Sequence, residues 1–248
     1  GIAMRLIPPG RFWMGSPDTE KVSDSDERPR HRVIISKAFY VGKYEVTKAQ
    51  WKAVMGESIQ PYFKNSPSDA PMESISWDDC QSFCQKTGFQ LPTEAQWEYA
   101  CRSGVYGMSY IGDFEIKGSS NAPGLDAIAW YGGNSGVSYE GGYDSSGWPE
   151  KQYDHKRAGT QSVGKKLPNS FGLYDMLGNV WEWCRDKKQE YSGDNIVDPE
   201  YQNSSSCLFR GGAWCRNARN TRSGSRPSNS PSIRVYDLGF RVFSPAPR

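Results

Sequence analysis

Residues 105–168 constrain the fold of this 248-residue chain more than any other stretch. They hold 12 Gly, many Ser and Tyr, and almost no periodic run. A compact domain tolerates so long an irregular connection only when it is tied down. The segment is therefore predicted to wrap a core, anchored by Trp130, Tyr131 and Trp148, with an insertion around residues 138–157. Nine Trp and 14 Tyr with 26 Gly fit a compact fold packed by aromatics and rich in irregular loops. No internal repeat or low-complexity linker divides the chain, so a single domain over 1–248 is expected. The insertion's acidic residues, Glu140, Asp144, Glu150 and Asp154, lack EF-hand spacing and read as solvated loop charges rather than calcium ligands.

Regular elements are predicted on either side. Residues 11–15, 31–35 and 39–41 read as short strands, the last two paired or consecutive, and 18–30 as a charged surface loop. Thr47 with Gln50, and Thr93 with Gln96, have the spacing of capping boxes and open two helices. A third helix begins at Ser76, with Trp77, Cys80, Phe83 and Cys84 on one face. Gly56, Gly88 and Gly104 stop the three helices. Trp181 and Trp183 alternate around Glu182 as a strand entering the core, and Cys207-Leu208-Phe209 begins another.

Several function classes are disfavoured. A net charge of +2 with interspersed signs does not indicate a nucleic-acid surface. No run of 18 apolar residues exists to span a membrane. The six cysteines (Cys80, Cys84, Cys101, Cys184, Cys207, Cys215) form no CxxC pair, and His31 and His155 stand far apart, so no metal site or cofactor is expected. The thiols read as mostly buried, with room for one disulfide.

The most unusual composition lies near the end. Arg210-Gly211-Gly212 and Leu238-Gly239-Phe240-Arg241-Val242 bracket a polar run. Residues 215–237 contain no Lys, Glu, Gln, Met or Trp, although all five occur elsewhere in the chain. An ordered surface loop explains the Ser, Asn and Pro content. It does not explain Cys215, Ile233, Val235 and Tyr236 in the same run. The five missing residue types are those that an AAC codon cannot reach by changes at its adenines alone.

In order along the chain, the motifs Ile7-Pro8-Pro9-Gly10, Tyr44-Glu45-Val46-Thr47, Leu91-Pro92-Thr93-Glu94-Ala95-Gln96-Trp97-Glu98-Tyr99-Ala100, Gly178-Asn179-Val180-Trp181-Glu182-Trp183, Arg210-Gly211-Gly212 and Gly239-Phe240-Arg241 resemble the formylglycine-generating-enzyme-like (sulfatase-modifying factor) domain. The resemblance implies an α+β single domain with a C-type-lectin-type fold of the formylglycine-generating-enzyme subclass. Oxidase members of that family bind copper through two cysteines after the Gly-Gly motif. Here Cys215 stands near the first position, and the second falls at Asn220. A lone thiol cannot supply a two-thiolate site, so no catalytic residue and no enzyme activity are expected.

Arg210-Gly211-Gly212-Ala213-Trp214 and Gly239-Phe240-Arg241-Val242 also resemble the frame of variable proteins of diversity-generating retroelements, of the treponeme surface-lipoprotein type. That resemblance implies a ligand-binding protein with a variable region of about 210–242. A monomer is expected, binding a protein or cell-surface ligand and no nucleic acid. Its expected place is the cell surface, lipid-anchored or secreted, with the signal peptide absent from this sequence.

Trp214, Arg222, Arg226 and Phe240 are the expected scaffold, the guanidinium groups bridging loop carbonyls. The displayed candidates are Cys215, Arg216, Asn217, Ser225, Pro227, Ser228, Asn229, Ser230, Ser232, Ile233, Val235, Tyr236 and Asp237. Tyr236 and Arg216 are the expected affinity anchors, replaceable by Ala with little effect on thermal stability. Plainer readings stand beside these. Arg216 is then a solvated charge, Ile233 and Val235 are strand core, and Cys215 is a structural thiol or pairs with Cys207. The seven arginines from Arg210 to Arg241 bind either phosphate or acidic partners within the domain.

Overall fold

The structure, a computed structural model, describes residues 1–247. Four strands come first: β1 (Met4–Ile7), β2 (Gly10–Met14), β3 (His31–Ile35) and β4 (Phe39–Gly42). Helices α1 (Lys48–Met55), α2 (Trp77–Thr87) and α3 (Glu94–Arg102) follow. Beyond the long connection lie β5 (Trp181–Lys187), β6 (Ile196–Val197), β7 (Cys207–Arg210), β8 (Ser228–Asn229), β9 (Leu238–Gly239) and β10 (Phe243–Pro245). Three sheets organise them, ordered β1-β4-β10, β6-β3-β2 and β8-β7-β5-β9.

All three helices start as local chemistry dictates. The Thr47 and Thr93 hydroxyls accept from the backbone N–H of Gln50 and Gln96, whose side chains return the bond. Ser76 and Asp79 form a third capping box. The helix α3 ends at Ser103, in the left-handed region, one residue before the expected Gly104. It is buried almost all round, Glu94, Glu98 and Arg102 included, because strands flank it on both sides. The strands β3 and β4 are consecutive but do not pair. The first joins β2 and β6, and the second lies between the two terminal strands.

The long connection is anchored as the aromatic residues suggest. Tyr131 is fully buried, and its hydroxyl accepts from the Ala122 N–H (2.8 Å) and donates to Gln152 (2.6 Å). The Trp130 ring carries the Lys166 ammonium 3.7 Å from its centroid. Trp148 stacks on Trp214 at 5.8 Å, so the insertion closes over the C-terminal segment. Glu150 accepts from the Ser119 N–H and Asp144 from the Ser146 N–H, and both remain exposed, as solvated loop charges.

Gly178 is where the connection meets the core. Its φ is +82°, and a Cβ there would lie 2.2 Å from the Trp130 carbonyl oxygen. Gly178→Ala is expected to cost at least about 1–3 kcal/mol, read as a lower urea midpoint with unchanged slope. An unaltered midpoint would show that the two segments are not in close contact.

Candidate ligand-binding face

The C-terminal segment is held by arginines. Arg210, at the end of β7, is fully buried and donates to the carbonyls of Gly224 (2.9 Å) and Ser223 (2.8 Å). It also pairs with Glu98 and lies 3.4 Å from Glu94. Arg222 grips Glu27 at 2.6 and 2.9 Å and pairs with Glu20. Arg226 grips Glu94 at 2.7 and 2.8 Å and reaches the carbonyls of Asp26 and Gln189. Arg241 grips Glu182 at 2.7 and 2.6 Å and donates to Gly42 and Tyr174 carbonyls. Trp214 and Phe240 are fully buried, as a scaffold role requires. The guanidiniums thus bridge carboxylates as well as carbonyls. All seven arginines of the segment have acidic partners within the domain, the second of the two readings.

These pairs set the electrostatics. Burial would raise the Glu94 carboxyl, but Arg226 and Arg210 overcome it and hold it down to about 2. Burial and the Glu94 charge push nearby Asp186 up to about 7. Buried charges are tolerated only when paired, and deleting one partner of such a pair typically costs about 3–5 kcal/mol.

The backbone turns after β7 at Gly211 and Gly212, with φ of +102° and +85°. A cleft of about 610 Å³ opens beside this turn. Trp181 and Phe209, edge to face at 5.4 Å, form part of its lining. Five displayed candidates line it: Arg216, Ser225, Pro227, Ser228 and Asn229. Asn220 and the distant Asp24, Ser25 and Asp26 complete the wall. The 18–30 loop is therefore no simple surface loop. Glu27 is fully buried, and Arg219 ties Asp24 to the segment at 2.7 Å.

Two candidates are misplaced by the display reading. Ser225 (3 % exposed) is turned inward between Arg222 and Arg226, although its edge reaches the cleft. Asp237 (1 % exposed) accepts from Arg216 Nε (2.7 Å) and the Cys215 thiol (3.3 Å), while its carbonyl accepts from the Trp181 N–H. The chain there is entering β9, whose partner is the central strand β5. Asn217, Asn229, Ser230 and Ser232 are exposed, with Pro227 and Ser228 half-buried beside them. Ile233 and Val235 pack on the cluster around α2, which favours their core reading.

Cys215 and Tyr236 join an aromatic cluster in which Tyr236 lies 5.3–5.6 Å from Tyr62, Tyr143 and Trp214. Neither expected anchor is therefore free to be removed without cost. Tyr236 is packed, and Arg216 neutralises a buried carboxylate.

Arg219 and Asn220 were not among the candidates, although they share the segment's AAC-reachable composition. Asp24, Asp26 and the aromatic lining carried no local signal at all.

The resemblance to copper oxidases meets a poor donor set. All six cysteines are free, and Cys207 and Cys215 do not bond to one another. The Lys187 ammonium donates to Cys207 at 3.0 Å. Burial and then the Asp237 charge push the Cys215 thiol well up, away from the thiolate that a metal needs. Position 220 offers an amide. No group of three or more His, Cys, Asp or Glu among the described residues is arranged to hold a metal. The residues present do not fit a two-thiolate copper centre.

The family model described as a sulfatase-modifying factor enzyme 1-like domain matches residues 2–246. The chain is 28 % identical to the chaperone protein LppX of Paenibacillus barcinonensis, covering 92 % of this chain and 86 % of that one. It is 24 % identical to the formylglycine-generating enzyme of Bos taurus, over 95 % of this chain and 72 % of that one. Its fold matches Treponema denticola variable protein 1 with a TM-score of 0.76 and 27 % identity, covering 99 % and 95 % of the two chains. The fold is thus the mixed α+β, C-type-lectin-like arrangement of this family.

Arg226→Ala, which takes the bidentate partner from buried Glu94 and leaves it Arg210 at 3.4 Å, is expected to cost about 3 kcal/mol at neutral pH by urea unfolding. The folded Glu94 pKa lies below the ordinary value of 4.5, so its stabilisation is present above pH 4.5 and lost as pH falls from 4.5 towards 2. Wild-type stability should drop across that window, and the variant should drop less. A variant with wild-type stability would refute the role given to this pair.

Proposed function

The chain belongs to the sulfatase-modifying factor enzyme 1-like domain family, and from this premise we propose that it is a non-catalytic ligand-binding protein whose segment 210–242 is diversified by retroelement mutagenesis. The observation that carries the reading is the division of labour inside that segment. Its glycines and four buried arginines hold the backbone against carboxylates elsewhere in the chain. Of its exposed or half-buried side chains, Arg216, Asn220, Pro227, Ser228 and Asn229 line a cleft of about 610 Å³. A face of this kind accepts new side chains without redesign of the core, and its rigidity avoids ordering costs on binding.

Arg216, Asn217, Asn220, Ser228, Asn229, Ser230 and Ser232 make up the adaptable polar surface, with Trp181 and Phe209 as the apolar lining. The bound partner is a protein or cell-surface ligand. A whole-chain single domain, acting as a monomer at the bacterial surface through a lipid anchor or after secretion, completes the proposal. No helix among the described residues is long and apolar enough to cross a membrane.

The oxidase reading draws on kinship with formylglycine-generating enzymes. It lacks a second thiol near Cys215.

Sequencing the gene and its flanks from many isolates tests the proposal. Changes are expected within codons 213–237, at adenines of a near-identical repeat nearby. They should concentrate at the exposed positions and spare Arg222 and Arg226. An invariant segment with no repeat would overturn the reading, and a copper-dependent thiol oxidation assay would then decide the alternative.

A further inference from the structure

A second cleft lies on the other side of the 17–24 loop, and its chemistry differs from the first. It encloses about 610 Å³ and runs on into a neighbouring depression of about 210 Å³ through Trp13 and Tyr106, which line both. The register of β2 and β3 explains half of it. Trp13 stands opposite Arg32, and Arg11 opposite Ile34. The alternate residues Phe12, Met14, Val33 and Ile35 are buried, so the first four side chains face outward together. Tyr106, just beyond α3, forms the facing wall. Trp13 and Tyr106 are 43 % and 61 % exposed, large aromatic surfaces left open to solvent in one cleft.

Three arginines around these rings have no carboxylate partner among the described residues. Arg30 lies over the Trp13 ring at 5.5 Å. Among the described residues, Arg11, Arg30 and Arg32 make no ion pair, whereas every arginine of the C-terminal segment makes one. Lys21 adds a fourth cation. The two lining carboxylates are committed elsewhere: Glu20 pairs with Arg222, and Asp113 accepts from the Met108 N–H. Arg102 is fixed by Glu98 and the carbonyls of Gly107 and Gly15, which makes the lining rigid.

We propose that this aromatic and cationic cleft binds an acidic oligosaccharide, one carrying carboxylate or sulfate groups on pyranose rings. The faces of Trp13 and Tyr106 present negative π-density to the sugar's C–H groups. The guanidinium forks of Arg30 and Arg32 take the anionic substituents, as planar bidentate donors do. A neutral glycan would leave the cations unused. A nucleic acid is the poorer match, because a chain of net charge +2 offers only a short positive field. The site is independent of the variable face and holds whether or not that face diversifies.

Titration of the folded protein with a heparin-derived hexasaccharide at low salt, by calorimetry and tryptophan fluorescence, tests the site. Isomaltohexaose and a short oligothymidylate serve as controls. The acidic hexasaccharide should bind, more weakly as salt rises, and isomaltohexaose should not. Trp13→Ala, and separately Arg30→Gln with Arg32→Gln, should each weaken binding by about tenfold or more, with melting curves confirming the fold. Trp13→Phe should retain most of the affinity. No binding of the hexasaccharide, or equal binding by wild type and both variant sets, would overturn the proposal. Tighter binding of the oligothymidylate through the same residues would also overturn it, in favour of a nucleic-acid site.

Discussion

Four buried carboxylates around the C-terminal segment are each met by a buried arginine, whereas others in the core, such as Glu73 and Asp186, are held by backbone N–H groups instead. Glu94 and Glu98 project from α3, Glu27 from the 18–30 loop and Glu182 from the central strand β5; each is essentially inaccessible to solvent. Arg226, Arg210, Arg222 and Arg241 answer them in turn. An unpaired buried charge costs several kcal/mol, whereas a satisfied pair is close to neutral. The pairs therefore add little net stability, and their effect is to specify where the segment runs. Any slip of the backbone would leave one or more charges unmatched.

That specification makes a variable surface possible. Between the pinned arginines some side chains, such as Arg216, Asn217, Asn229, Ser230 and Ser232, are exposed, while Trp214, Thr221, Ser223 and Ser225 are buried. The exceptions follow from the same rule. Asp237 is turned inward because Arg216 and the Cys215 thiol meet it there. Tyr236 is held among aromatic rings that the inserted part of the long connection delivers. The cleft wall at Asp24–Asp26 is in turn held in place by Arg219, Arg226 and Lys188. Binding surface and wall are thus mechanically continuous with the segment.

Kinship with formylglycine-generating enzymes gives the fold and leaves the chemistry open, since function lives in the site rather than in the scaffold. Here the position that the family resemblance assigns to a second thiol carries an amide, Asn220, on the rim of the cleft. The remaining thiol is hydrogen-bonded to a carboxylate, which works against forming a thiolate.

The sequence by itself determined what depends on neighbours a few residues apart. Capping boxes fixed the starts of α1 and α3, β-rich runs marked β2 and β3, alternation marked β5, and the Arg-Gly-Gly and Gly-Phe-Arg motifs bounded the segment with its scaffold Trp214, Arg222, Arg226 and Phe240. The tertiary structure alone decided which charges meet. Arg222 and Glu27 are 195 residues apart, and Arg226 and Glu94 are 132 apart, with no local pattern to couple them. It also decided that β3 and β4 belong to different sheets, that Ser225 and Asp237 face inward, and that Asp24 and Asp26 wall the cleft. The physical reason is one of range. Caps and alternation are satisfied within a turn or a strand. Most of the buried charges here are satisfied by distant groups that the whole fold brings to them.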